Sequence, residues 1–279
     1  MEFYMLTRQF GPTGARVPII GQGTWKIGSG LGALRVGIAL GMTHIDTAEM
    51  YTGSEQLVAE AIHGRRKDIF LVSKVMPSNA SYEGTLRACD ASLKRLNTEY
   101  LDVYLLHWWG GRHPIAETMG AMERLVASGK IRHIGVSNLD VAELKQAQKA
   151  LSREKIACNQ VLYHLRSRGI ERRLRPYCES QNIAVVGYSP FGKGDFPAPG
   201  SKQGKILDRI AAKHGKTARQ VELNFLTRDQ SLFAIPTSSN PTHVRENAGA
   251  AGWELDDDDL QLIDSAFPLP PEDEPLDMF

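Results

Sequence analysis

Asp46, Tyr51, Lys74 and His107 are a carboxylate, a phenol, an amine and an imidazole, each at or just beyond the end of an apolar run that reads as a β-strand. Brought to one face, these four types form a proton-transfer set. A tyrosine with its ordinary pKa of about 10 is a poor proton donor near neutrality. An ammonium about 4 Å away, at an effective dielectric of ~20, favours the phenolate by around 4 kcal/mol before burial subtracts part of it. Lys74 is therefore expected to lower the pKa of Tyr51. Asp46 is the natural partner for Lys74, because a buried ammonium or carboxylate without a counter-charge neutralises itself. His107 follows the apolar run Val103-Tyr104-Leu105-Leu106 and is placed to donate a hydrogen bond to a carbonyl oxygen beneath Tyr51. Such a set suits the addition of a hydride to a carbonyl carbon and of a proton to its oxygen. Taken singly, each residue has an ordinary explanation: a structural ion pair, a loop aromatic, a hydrogen-bonded histidine. Four matched types at neighbouring strand ends point together to a site.

Residues scattered over sixty positions converge only if the strands are parallel neighbours. Strand-like runs lie at 20–24, 43–46, 69–74, 101–107, 131–137, 157–162, 184–188 and 232–235, and helical spacing fills the segments between them, with 205–227 expected to break near Gly215. Gly41, Gly64 and Gly129 each follow a periodic run, as a left-handed helix terminator requires. Eight alternations predict a (β/α)8 TIM barrel, which commonly fills about 250 residues and carries its chemistry at the carboxyl ends of its strands. An open doubly wound sheet is the rival. Residues 6–10 and 17–19 flank Gly11-Pro12-Thr13-Gly14 and read as an N-terminal β-hairpin that closes the bottom of the barrel. Residues 1–279 are expected to form one barrel domain.

The segment Asp46-Thr47-Ala48-x-x-Tyr51-x-x-Ser54-Glu55, followed by Val72-Ser73-Lys74 and Leu105-Leu106-His107-Trp108, resembles the aldo-keto reductase family, whose Asp/Tyr/Lys/His tetrad occurs in this order. The resemblance runs from Gly23-Thr24-Trp25 to Glu246-Asn247. It implies that Tyr51 is the general acid, that Lys74 tunes it, that Asp46 pairs with Lys74 and that His107 orients the substrate. It also implies NADPH as cofactor. Gly135-Val136-Ser137-Asn138, Asn159-Gln160 and Gly187-Tyr188-Ser189-Pro190 match the segments that hold the nicotinamide, with Ser137, Asn138 and Gln160 on its carboxamide and Tyr188 stacked on the ring. Ser137 and Asn138 would otherwise be an ordinary helix N-cap, and Tyr188 core packing. Gly23, Thr24, Trp25 and Asp46 are expected beside the cofactor, as are Phe191 and Lys193 in the loop after Tyr188. The run Ile235-Pro236-Thr237-Ser238-Ser239, with His243, Glu246 and Asn247, resembles the adenosine-phosphate segment, where a helix N-terminus attracts anions. Thr237 and His243 stand where NADPH-preferring members carry Lys and Arg, so NADH is admitted as well. Trp25, Tyr51, His107 and Trp108, with Trp109 beside them, are expected to line an apolar substrate pocket. The short, acidic, proline-rich tail from Pro268 leads us to expect an open site.

Other readings of the same residues are weaker. Gly28-Ser29-Gly30-Leu31-Gly32-Ala33 fits a loose dinucleotide fingerprint, but it leaves Tyr51, Lys74 and His107 unexplained. His44 and Asp46 resemble half of a metal pair, yet His113 and His164 lack ligand spacing, and no metal is expected. A non-catalytic NADP(H) sensor subunit on the same barrel is the alternative function. The formal net charge of +1 argues against nucleic-acid partners, and three cysteines without CxxC spacing argue for a reducing compartment. No window reaches the ~18 apolar residues of a membrane span. The expectation is a cytoplasmic monomer acting on a small carbonyl compound.

Overall fold

The computed structural model describes residues 5–278. A two-stranded antiparallel hairpin comes first, β1 (Thr7–Gln9) and β2 (Arg16–Pro18), joined by a 3-10 turn over Gly11–Thr13. Eight further strands follow: β3 (Gln22–Gly23), β4 (His44–Asp46), β5 (Phe70–Val75), β6 (Leu101–Leu106), β7 (Ile131–Ser137), β8 (Ile156–Leu162), β9 (Ala184–Tyr188) and β10 (Leu232–Ile235). They pair in parallel, in chain order. Bridges from Ile20 to Ala234 and from Gly23 to Thr237 join the last strand to the first and close the barrel. That closure requires a glycine, since a Cβ on Gly23 would stand 2.7 Å from both the Ile235 carbonyl oxygen and Thr237 Oγ1. The first run, read at 20–24, is a strand over Gln22–Gly23 alone.

The helices are α1 (Leu31–Ala39), α2 (Ser54–Ala61), α3 (Tyr82–Leu96), α4 (Ile115–Ala127), α5 (Val141–Ala150), α6 (Leu174–Ser180), α7 (Lys202–His214), α8 (Ala218–Leu226), α9 (Pro241–Ala248) and α10 (Asp257–Ala266). Their ends follow local chemistry. Ser81 caps α3 by accepting from the Gly84 amide, and Asp140 with Glu143 forms a capping box on α5. The long helical segment does break at Gly215, which adopts φ 62°, and Thr217 then caps α8. Gly41, Gly64 and Gly129 all take positive φ, as expected.

Alternation along the strands sorts the core into two layers. Leu71, Val75, Tyr104 and Leu106 face outward to the helices, whereas Phe70, Val72, Val103 and Leu105 fill the barrel interior. Phe10, fully buried at the tip of the hairpin, packs its ring 4.9 Å from those of Phe70 and Phe233 and 5.7 Å from that of His44. The hairpin thus stoppers the amino-terminal end of the barrel. By the same alternation Lys74 and Asp46 point into the interior at its other end, directly above this apolar floor.

Candidate active site

The strand ends of β4, β5 and β6 are neighbours, so Asp46, Lys74 and His107 meet at the carboxyl mouth. Lys74, wholly buried, places Nζ 2.5 Å from Asp46 Oδ1 and donates to the Thr47 carbonyl at 2.8 Å. Gln160, at the end of β8, donates to Asp46 Oδ2 at 2.7 Å. Both Asp46 oxygens are therefore acceptors, the arrangement of a carboxylate, although burial pushes its pKa up against Lys74 and Gln160. Burial alone would lower Lys74, but Asp46 and then Tyr51 outweigh it and hold the amine as a cation.

Tyr51 sits in the loop after β4 with its ring 5.1 Å from Lys74 Nζ and 5.6 Å, edge-on, from the His107 ring. Its pKa departs from the expected direction. Lys74 does pull it down, but burial is the larger effect and Asp46 adds to it, so the phenol lies above its ordinary value and keeps its proton at neutrality. His107 is driven down to about 3, by burial first and then by the Lys74 charge, and is a neutral imidazole. Its Nδ1 is buried without a hydrogen-bond partner.

A cavity of about 360 Å³ opens above these groups. Trp25, Tyr51, His107 and Trp108 line it, as do Ser137, Asn138, Gln160, Tyr188 and Ser189. Gly23, Thr24, Asp46, Ile235 and Thr237 line it as well. Thr24 Oγ1 donates to the Asp46 carbonyl at 2.9 Å, which ties the Trp25 loop to the acid strand. Asn138, in the left-handed region at φ 57°, donates to the His107 carbonyl at 3.2 Å and to Ser137 Oγ at 3.0 Å, and accepts from the Tyr188 hydroxyl at 3.0 Å. These bonds decide what remains for a ligand. Ser137 Oγ accepts from Asn138 and keeps its own hydroxyl hydrogen to donate, while Gln160 Oε1 and one lone pair of Asn138 Oδ1 stay available as acceptors. A primary carboxamide needs one donor on its oxygen and acceptors on its nitrogen, and this wall supplies both. The residues fit a nicotinamide with the Tyr188 ring nearby.

Several residues expected at the cofactor lie outside the cavity. Lys193, at φ 52° in the loop after β9, reaches the Trp25 ring from above, with Nζ 4.6 Å from its centre. Pro190 belongs to the same loop, and Phe191 carries the Arg219 guanidinium 4.9 Å from its ring. Pro236 is buried, and its carbonyl accepts from the Gly23 amide at 3.1 Å at the barrel closure. Ser238 Oγ bonds the amide of Asn240, the residue that caps α9, and Ser239 is exposed beside it. On α9 itself His243 is exposed, Asn247 is buried, and Glu246 accepts from Thr217 Oγ1 at 2.6 Å. Ser238, Ser239 and His243 thus lie about the α9 N-terminus, Glu246 and Asn247 lie in its last turn, and Thr237 lines the cavity.

One expectation about the pocket is corrected. Trp109 does not line the cavity; its Nε1 donates to the His113 carbonyl at 2.9 Å and its ring packs on the outer core. From the tail Met278 reaches the cavity and lines it, together with Met50. Met50 adjoins Tyr51 and was recoverable from the loop's position. Met278 carries no local signal, since only long-range ties bring the tail there. His44 lies below the site among Phe10, Phe70 and Phe233, while His113 and His164 lie on other loops.

A closed barrel with an Asp–Lys–Tyr–His cluster at its mouth is the arrangement of a carbonyl oxidoreductase. The aldo/keto reductase family profile matches residues 20–267, and the chain belongs to that family. Methylglyoxal reductase YeaE of Escherichia coli K12 is 45% identical over 271 residues, spanning 94% of this chain and 95% of that protein. The glyoxal reductase of Bacillus subtilis 168 is 35% identical, with 90% of each chain covered. A crystal structure of an aldo-keto reductase from Klebsiella pneumoniae in complex with NADPH matches with a TM-score of 0.91 at 42% identity, over 99% of this chain and 100% of that one.

Proposed function

We propose that this protein reduces small aldehydes and ketones with NADPH, 2-oxoaldehydes such as methylglyoxal among them, and that Asp46, Tyr51, Lys74 and His107 carry the reaction. The observation that bears most weight is the buried Lys74 cation, 2.5 Å from Asp46 and 5.1 Å from the Tyr51 ring, beneath a cavity walled by a carboxamide-matching set. The bound nucleotide supplies the hydride. His107, neutral and therefore able to act as donor or acceptor without carrying a charge, holds the carbonyl oxygen against Tyr51. Tyr51 arrives protonated and gives its proton to that oxygen as negative charge develops there. Lys74 then stabilises the phenolate, which is how its charge favours the transition state without ionising the resting phenol. Asp46 keeps Lys74 from losing its own proton. Ser137, Asn138 and Gln160 fix the carboxamide, and Thr237, together with His243, Glu246 and Asn247 of α9, takes the adenosine phosphate, with Ser238 and Ser239 at the helix entrance. Phe191 and Lys193, with Pro190, form the loop above the cofactor.

The names of the relatives support the substrate class, and the NADPH-bound neighbour supports the nucleotide. We further take residues 1–279 to act as one barrel domain, as a monomer in the cytoplasm. Three free, buried cysteines are in keeping with a reducing compartment.

The test is NADPH oxidation on addition of methylglyoxal, with Tyr51→Phe beside the wild type. The variant should lose about 10²-fold to 10⁴-fold in kcat, the usual contribution of a general acid, while nucleotide binding followed by tryptophan fluorescence stays close to wild type. Because the Tyr51 pKa is raised, the wild-type reduction rate should hold flat through neutrality and decline only as alkaline pH removes the phenolic proton. Turnover retained in Tyr51→Phe would remove the phenol from the mechanism. Nucleotide binding without turnover of any aldehyde would favour the sensor alternative.

A further inference from the structure

The phenol and the amine of the cluster stand on different footings. Lys74 belongs to β5, where the ladder to β6 fixes it, whereas Tyr51 lies beyond β4 in the loop that leads to α2. Two bonds fold that loop on itself, from the Tyr51 amide to the Ala48 carbonyl at 3.0 Å and from the Ser54 amide to the Tyr51 carbonyl at 2.9 Å. Neither ties the ring to β5. Misplacing a reacting group by about 1 Å can cost on the order of 10²-fold in rate, so the tie matters.

Glu49 makes it. This residue stands at the first of the two positions that the Asp46–Tyr51 motif leaves open, and it is half-buried. Its amide donates to the Lys74 carbonyl at 3.3 Å. Its carboxylate reaches further along the same chain: Oε1 accepts from the Met76 amide at 2.6 Å, and both oxygens accept from Asn79 Nδ2 at 3.1 Å. Met76 precedes and Asn79 ends the 3-10 turn over Pro77–Asn79, which follows β5. That turn is itself fixed. Thr118 of α4 donates to the Ala80 carbonyl at 2.5 Å, and α3 presses so closely that a Cβ on Gly84 would stand 2.5 Å from the Asn79 carbonyl oxygen. The carboxylate therefore joins the backbone that carries Tyr51 to the backbone that carries Lys74. Its partners here are amides, which makes it a clasp; the charges felt by the Tyr51 proton are those of Lys74 and Asp46.

Given the carbonyl reduction proposed above, we propose that Glu49 is a positioning residue for the proton transfer, holding the Tyr51 ring beside Lys74 by clasping the Met76 amide and the Asn79 carboxamide. It lies outside the cavity and acts through the loop alone.

Single-turnover oxidation of bound NADPH by methylglyoxal tests this. In Glu49→Ala the rate should fall roughly tenfold to a hundredfold, with nucleotide affinity near wild type and a larger solvent deuterium isotope effect, because delivery of the proton then limits the step. The alkaline limb of the rate should also move to lower pH, since burial is what holds the phenol above its ordinary value and a loosened ring loses burial. A fall in the folded fraction alone moves neither signature. Asn79→Asp sets two carboxylates against each other and should lose as much. Adding Glu49→Gln to Asn79→Asp exchanges donor and acceptor, leaves an oxygen for the Met76 amide, and should recover most of the rate. An unchanged rate in Glu49→Ala, a slower rate with the wild-type isotope effect, or a double variant no faster than Asn79→Asp overturns the proposal. Failure of the wild type to oxidise NADPH with methylglyoxal or any other aldehyde removes the carbonyl reading itself, and the role of the clasp with it.

Discussion

Tyr51 keeps its proton at neutrality because burial and the Asp46 charge outweigh the pull of Lys74. The types and spacing of the four clustered residues were legible in the sequence, as each sits at or just beyond a strand end and only a parallel sheet makes strand ends meet. The sign of the Tyr51 shift was not legible. It depends on how deeply the loop after β4 buries the ring, and the distance between two charges says nothing about that. His44 shows the same limit. Its alternation with Asp46 put it correctly on the inward face, yet nothing local revealed the cage of Phe10, Phe70 and Phe233 around it. Burial, with Lys74 adding, lowers its pKa to about 3. In the unfolded chain it titrates near 6.5, so the unfolded state binds the extra proton between these values. The native state is at full stability above about pH 6.5 and loses it as pH falls toward 3, by roughly 2–3 kcal/mol from this residue at pH 4.5. His107 adds a loss of the same sign. Urea unfolding at pH 7 and pH 4.5 should therefore show His44→Phe losing roughly 2–3 kcal/mol less stability on acidification than the wild type; an equal loss in both proteins would mean that His44 does not titrate in this range.

At the scale of elements, local rules placed most of what they govern. Glycines ended α1, α2 and α4 near Gly41, Gly64 and Gly129, and Gly215 split α7 from α8. Those rules failed where two distant elements meet, as with β3, a strand over Gln22–Gly23 alone that closes against the last strand, and the tail, where Ser167 of the β8–α6 connection donates to Asp277. Asp256–Asp259 illustrates both. Asp256 caps α10 as a helix start should, but Asp259 is buried and pairs with Lys213 and His214 of α7. A second buried acid carries a measurable cost. Glu222 of α8 accepts from the Leu165 amide at 3.0 Å, leaves Oε2 without a partner, and is pushed up to about 8 by burial, against the hydrogen bond from Leu165 and the charges of Arg219 and Arg166. An ordinary glutamate in the unfolded chain ionises near 4.3. The folded state thus holds the proton longer, and stability declines as pH rises from about 4.5 to about 8. Glu222→Gln keeps the acceptor for Leu165 and cannot ionise. Between pH 5 and pH 8 its thermal midpoint should shift less than that of the wild type, and equal shifts would show that the Glu222 proton is not the cause.

For the molecule as a whole, the decisive sequence signal was eightfold repetition, which no single element carries. It predicted the barrel and, through the barrel, the place where chemistry collects. The hairpin was readable as a hairpin from its turn glycines, but its use as a stopper depends on Phe10 reaching an interior floor built by β4, β5 and β10. Removing that ring leaves a void among side chains that cannot collapse inward, so Phe10→Ala should cost about 3–5 kcal/mol of stability. Since the floor lies below Lys74 rather than against substrate, KM for aldehydes should stay near wild type at temperatures where the variant is folded. A loss under 1 kcal/mol would show that the hairpin rests on the barrel without sealing it.

A cylinder corked at one end has a single doorway. Under the proposed function, a nicotinamide lodged against Ser137 and Gln160 would occupy the inner berth, and a carbonyl compound beside Trp25 and Trp108 the outer one. Arrivals and departures must then follow a fixed queue: nucleotide in before aldehyde, alcohol out before oxidised nucleotide.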